Sequence, residues 1–187
     1  MKNIQTTIKA ILLSASLLLA GSTFAQTDPM VGGAAMYPTK TIVDNAVNSK
    51  DHTTLVAAVK AAGLVETLQG AGPFTVFAPT NEAFNKLPQG TVESLLKPEN
   101  KTMLSSVLTY HVIAGNIDSK MLMDWIKKSG GKYTAKTVQG GELTFWMKGK
   151  ALMLTDEKGG MAKVTIKDVY QKNGVIHVID TVLMPKG

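Results

Sequence analysis

Few side chains in this sequence could carry covalent chemistry, and His177 is the first to weigh. It stands in Val175-Ile176-His177-Val178-Ile179-Asp180, three residues before a carboxylate. A histidine paired with an acid can move protons, but strand side chains alternate faces and no nucleophile is marked beside this one. A hydrogen-bonded structural histidine is therefore expected, no residue is assigned a catalytic role, and the chain is read as not an enzyme. His52 falls in a first helical turn and is expected to be exposed. Ten methionines raise Cu(I) binding, with Met30, Met36, Met121 and Met123 as candidates. Methionine is also ordinary core filler, and no Met-x-x-Met or Met-x-His cluster occurs among them. No metal site and no cofactor are assigned.

The charge balance narrows the classes further. The 187 residues carry 20 basic and 14 acidic side chains, and every basic one is lysine. Cysteine is absent. A disulfide scaffold, a thiolate metal site, a cysteine nucleophile and an arginine fork for phosphate are all excluded. Lys127, Lys128, Lys148 and Lys150, with Lys132, Lys136, Lys158 and Lys163 near them, are candidates for a basic binding face. They equally suit a solvated face and the protection of sheet edges. Nucleic acid is not an expected partner, because no interleaved basic and aromatic motif occurs.

The elements that must hold these residues begin after an address. Lys2 and Lys9, the apolar run Ile11 to Ala20, and small residues at Thr23 and Ala25 read as a signal peptide over residues 1–25, cut between Ala25 and Gln26. The run is about half of what a spanning helix needs, so no stable membrane anchor is expected. The product is expected in the periplasm or secreted. Residues 26–38, poor in large apolar side chains, read as an arm or tether. Residues 39–187 read as a single domain.

Within that domain, helical spacing comes first. Ile42, Val43, Ala46 and Val47 share one face, and Leu55, Val56, Val59 and Ala62 share another up to Gly63. Phe74 to Ala78 is short, aromatic and β-branched, which predicts a strand. Thr80 or Asn81 can cap the helix that follows, which points Ala83, Phe84 and Leu87 inward. Two further helices are predicted around Leu104–Leu108 and Lys120–Lys128. The last third changes to strands at Tyr133–Val138, Glu142–Lys148, Ala151–Thr155, Ala162–Val169 and Val175–Met184, separated by glycine-bearing turns. Asn173-Gly174 signals a hairpin. The class is α+β, with one early strand joining a later, mainly antiparallel sheet. Phe74–Ala78 is predicted to pair with the final strand at the sheet centre, because both faces of each are largely apolar.

Three motifs in order resemble the fasciclin domain: Thr75-Val76-Phe77-Ala78-Pro79-Thr80-Asn81-Glu82-Ala83-Phe84, then Tyr110-His111-Val112-Ile113, then Gly174 to Pro185 with His177, Val178 and Asp180. The likeness runs from about Thr39 to Pro185 and is similar in size to secreted single-domain bacterial members such as the mycobacterial major secreted antigens. It implies a wedge of mainly antiparallel strands backed by a layer of helices. It also implies adhesion, by binding a protein or polysaccharide surface at the cell envelope or matrix, without catalysis. The motif residues Thr75, Phe77, Pro79, Thr80, Asn81, Phe84, Tyr110, His111, His177, Val178 and Asp180 are expected to be mainly structural. In animal members the tyrosine–histidine element is linked to integrin recognition; buried side chains with backbone partners are the expectation here. The family often has Asp where this chain has Asn81, so any contact that needs a charge there is in doubt. A monomer is expected. The alternative function is a periplasmic carrier of a small ligand or copper, which would need a pocket between helices and sheet.

Overall fold

The structure, a computed structural model, describes residues 28–186. The signal segment over residues 1–25 and its cut before Gln26 lie outside them. A short hairpin of β1 (Met30–Val31) and β2 (Ala34–Ala35) leads into α1 (Ile42–Ala46), α2 (Thr53–Ala62) and α3 (Val65–Gln69). Strand β3 (Phe74–Pro79) is followed by α4 (Asn81–Asn85), α5 (Thr91–Leu95), α6 (Lys101–Tyr110), β4 (Val112–Ala114) and α7 (Ser119–Lys128). The chain ends in β5 (Lys132–Lys136), β6 (Glu142–Lys148), β7 (Ala151–Thr155), β8 (Met161–Gln171) and β9 (Gly174–Ile179).

Seven strands form one sheet in the order β4-β3-β9-β8-β7-β6-β5. Only β3 and β9 run parallel, and every other neighbouring pair is antiparallel. Beyond β5, the Val138 amide donates to the Val112 carbonyl at 2.7 Å, so the far end of the sheet turns back onto β4. The sheet is thus a near-barrel, with the helices packed against it. The predicted pairing is present: Phe74 lies opposite Gly174 and Pro79 opposite Ile179. Neither strand is at an edge.

Alternation along these two strands builds two separate cores. Val76, Ala78, Ile176 and Val178 face the helices, with Ile42, Leu55, Val59, Leu104 and Leu108. Phe77 and Ile179 face the barrel interior, with Leu122, Ile126, Leu143, Phe145 and Leu154. Each strand is covered on both faces, which is why its sequence is apolar in both phases.

Two expectations are corrected, on His52 and on the end of the final strand, and the structure adds detail at two other places. Residues 30–36, within the segment read as an arm or tether, pack onto the domain: Val31 and Met36 are buried, and the Gly32 carbonyl accepts from the Lys50 amide at 3.1 Å. Gly32 lies so close to Ser49 that a Cβ would sit 2.2 Å from its Oγ. His52 is buried, 3% exposed, because the end of β3 and this hairpin close over it. The final strand stops at Ile179 and not at Met184, because the Asp180 amide donates to the Lys163 carbonyl while its carboxylate accepts the Lys163 amide at 2.9 Å. That exchange ends the ladder and lets the chain leave the sheet. The hairpin at 172–173 is present, but Asn173 does more than turn it. Its Oδ1 accepts from the Ile42 amide, and its Nδ2 donates to the Leu68 and Gly70 carbonyls. One side chain thereby ties α1 and α3 to the sheet.

Candidate functional site

The motif residues do converge, and they do so in the interior. Phe77 and His177 are cross-strand partners on β3 and β9, with ring centroids 5.4 Å apart and planes at 22°. Phe145 meets Phe77 from the other side at 5.3 Å. His177 is fully buried. Its Nε2 donates to the Ile117 carbonyl at 2.9 Å, and its Nδ1 accepts from the Asp168 amide at 3.3 Å. That pattern fixes a neutral ring with the proton on Nε2. Burial holds its pKa below the ordinary histidine value, against the opposing pull of the Ile117 carbonyl and Asp168.

Asp168 reaches this position through a bulge in β8, where it adopts a left-handed backbone with φ 60°. Its carboxylate accepts from both the amide and the hydroxyl of Ser119, at the start of α7. Thr75 holds the same loop from β3. Its hydroxyl donates to the Gly115 carbonyl at 2.7 Å and accepts from the Ile117 amide at 2.9 Å. Thr75, His177 and Asp168, from three adjacent strands, therefore fix residues 115–119. Sequence reasoning missed Asp168, since a β-bulge leaves no signature in hydrophobic alternation; it gave Ser119 the cap of α7, a role that Asp118 takes while Ser119 binds Asp168.

The tyrosine–histidine element does a similar job at the other end. The Tyr110 hydroxyl donates to the Glu142 carbonyl at 2.6 Å and accepts from the Glu157 amide at 3.1 Å. Burial, with Glu157, Asp156 and Glu142 around it, pushes its pKa up to about 12. His111 donates from Nδ1 to the Val107 carbonyl and accepts at Nε2 from the Leu183 amide at 3.0 Å. Burial pulls its pKa down to about 4. His111 and His177 carry opposite tautomers, each set by the backbone it binds.

Pro79 ends β3, and Thr80 caps α4 by accepting from the Ala83 amide at 3.2 Å. Asn81, the other candidate for that role, instead caps a different helix. Its Oδ1 accepts from the Thr54 amide at 3.0 Å and the Thr53 hydroxyl at 3.2 Å, and its Nδ2 donates to the Lys50 carbonyl at 2.8 Å. The start of α2 has no cap of its own, so Asn81 supplies one from 27 residues away. Phe84 and Val178 are buried in the helix-side core, and Asp180 closes the β8–β9 ladder.

The candidate lysines are all exposed, and of Lys127, Lys128, Lys148 and Lys150 only Lys150 lines a cleft. Lys127 and Lys128 end α7, and Lys148 and Lys150 bound the β6–β7 hairpin. Lys132 pairs with Trp146, so Lys148, two residues on, lies at the end of the sheet where α7 turns into β5. Lys150 lines a cleft with Lys163, Lys167, Ser119, Met123 and Met147. The sequence named Lys150 and Lys163, but it missed Lys167 and could not show that α7 forms the opposite wall. Among the described residues the one ion pair is Lys120–Asp124 at 4.0 Å, so every lysine of the cleft is unpaired.

The Fasciclin domain family matches residues 50–185. The chain belongs to the fasciclin domain family. This fasciclin domain is 49% identical over 160 residues to Protein sll1483 of Synechocystis sp., covering 83% of this chain and 79% of that protein. It is 38% identical to the immunogenic protein MPB70 of Mycobacterium bovis, covering 75% of this chain and 66% of that one. It is also 38% identical to the cell surface glycolipoprotein MPB83 of the same species, covering 84% of this chain and 61% of that one. The solved structure of a domain pair from the insect cell adhesion molecule Fasciclin I superposes with a TM-score of 0.69 at 19% identity, covering 78% of this chain and 51% of that one. The expected family and its α+β fold are thus established. The family is a non-enzymatic, adhesion-type fold.

Proposed function

We propose that this fasciclin domain is an exported interaction module that binds a protein or glycan surface at the cell envelope or matrix and performs no catalysis. It would be delivered by a signal peptide cut after Ala25 and act as a monomer in the periplasm or outside the cell. The observation that carries this reading is the state of the motif's polar atoms. Thr75, Tyr110, His111, His177 and Asp180 all have partners within the fold. A side chain held this way builds a scaffold and leaves recognition to the surface. The names of two relatives, a cell surface glycolipoprotein and a cell adhesion molecule, support the same reading.

The carrier alternative would need room between helices and sheet. The apolar space there, walled by Ile42, Leu55, Val59, Val76 and Val112, is about 50 Å³. Ligand pockets run to hundreds of Å³. Met36, one copper candidate, is buried in that same core. The test is capture of the purified protein on envelope and matrix extracts at low and high salt. Saturable, competable capture is expected. Failure to retain the protein on any extract at either salt would overturn the reading.

A further inference from the structure

The two halves of the domain carry opposite charge. Residues 28–118, which supply six of the seven helices, hold 6 lysines and 8 acids. Residues 119–170, from α7 through β8, hold 10 lysines and 5 acids. This separation concentrates positive potential on the sheet side without raising the net charge much.

That potential has a shaped place to act. The open cleft between the first turns of α7 and the strands β6 to β8 has a volume of about 330 Å³. Lys163, Thr165 and Lys167 alternate outward along β8, so their side chains line up on one wall. Lys150 reaches the cleft from the β6–β7 hairpin. Met123 and Met147 lie at its floor, partly buried. The acids nearby are already engaged: Asp168 with the Ser119 amide and hydroxyl, Asp118 with the Met121 amide, and Asp124 with Lys120.

We infer that this cleft binds a strand of acidic polysaccharide, with Lys150, Lys163 and Lys167 meeting its anionic groups and the two methionines meeting the apolar faces of its sugar rings. A concave site with several cationic groups along one wall suits a segment of anionic chain laid into it. A membrane surface would instead call for a convex face with apolar anchors projecting from it. Lysine, a strongly hydrated point charge, suits scattered carboxylates or sulfates that need no fixed fork. This inference rests on the interaction-module reading and names the ligand class for it.

The test is calorimetric titration of the purified protein with polygalacturonate at about 0.05 and 0.15 M salt, where screening of exposed charges deepens. Two triple variants are compared: Lys150→Gln/Lys163→Gln/Lys167→Gln, and a control on the acidic half, Lys50→Gln/Lys97→Gln/Lys101→Gln. Both lose the same charge, and thermal melts confirm that both fold. The cleft variant should bind about tenfold more weakly and the control within about twofold of the parent. Equal losses in both, or no binding by the parent, would overturn the inference. So would stronger retention on phosphatidylserine vesicles than on polygalacturonate, lost in the cleft variant. Envelope capture that survives the cleft variant would overturn this site while leaving the interaction-module reading intact. Cleft-dependent binding of polygalacturonate would support the site even where no envelope protein is captured.

Discussion

Replacing Asn81 with alanine should destabilise the domain by about 1.5–2 kcal/mol. The side chain makes two bonds to a helix it does not belong to, at 3.0 and 3.2 Å, and a third at 2.8 Å to the Lys50 carbonyl just before that helix. Losing the cap on the Thr54 amide accounts for about 1 kcal/mol, since a side-chain oxygen at a helix start is worth that much. Losing the donor to the Lys50 carbonyl, which is near solvent, adds about 0.5–1 kcal/mol. For a domain of this size the midpoint of thermal unfolding should fall by roughly 3–8 °C. Asn81→Asp separates the two contributions. It keeps the accepting oxygen and adds a negative charge at the start of α2, worth about 0.3–1 kcal/mol. It also removes the donor and sets a carboxylate oxygen against the Lys50 carbonyl. The aspartate variant should therefore stay within about 1 kcal/mol of the parent. Urea unfolding gives both values, and hydrogen exchange at Thr53 to Leu55 reads the cap locally. An alanine variant as stable as the parent, with unchanged exchange in that turn, would refute the reasoning.

Three further outcomes follow from the same geometry. All three histidines have pKa values lowered by burial, His111 to about 4. The unfolded chain therefore binds more protons than the folded one below the ordinary histidine value of about 6.5. Stability should be full above that pH and fall as pH drops from about 6.5 towards 4, by about 3 kcal/mol from His111 alone. Urea unfolding across that range checks it, and a flat profile would contradict it. Gly174→Ala places a Cβ 1.9 Å from the Phe74 carbonyl oxygen, at the first rung of the β3–β9 pair. It should destabilise by about 3 kcal/mol or more, read by thermal melting, and a neutral result would contradict the register. His177→Ala leaves the Ile117 carbonyl unpaired beside a cavity and should cost about 3–5 kcal/mol, while His177→Gln, which can still donate, should cost visibly less. Equal losses in the two variants would argue against the Ile117 bond.

Much of the fold was legible because its strands announce themselves. β6 and β7 fall where alternation between glycine turns placed them, at Glu142–Lys148 and Ala151–Thr155. The doubly apolar pattern of Phe74–Ala78 and Val175–Ile179 foretold their shared, covered position. What was not legible depends on side chains acting across long separations. The local pattern offers Thr80 or Asn81 as the cap of α4; Thr80 takes that role, and nothing local shows that Asn81 reaches α2. His52 looked like a helix-start residue in water, and only the packed hairpin buries it. Residues 26–38 are poor in large apolar side chains and read as an arm or tether; whether the arm folds back depends on two buried side chains, Val31 and Met36, which hold residues 30–36 on the domain. At the basic site, the sequence gathered lysines without saying which share a wall. Alternation along β8 puts Lys163 and Lys167 on one face, but the approach of Lys150 and the crossing of α7 that complete the cleft have no periodicity to read.

The central claim is that the motif's polar groups hold the fold and are engaged there. Long-range nitrogen–proton NMR of the histidine rings tests it most directly. The account predicts a neutral His111 with its proton on Nδ1 and a neutral His177 with its proton on Nε2, and no titration of His111 until about pH 4. A ring that titrates near its ordinary value of about 6.5, or the reverse tautomers, would show those nitrogens free of the backbone and contradict it.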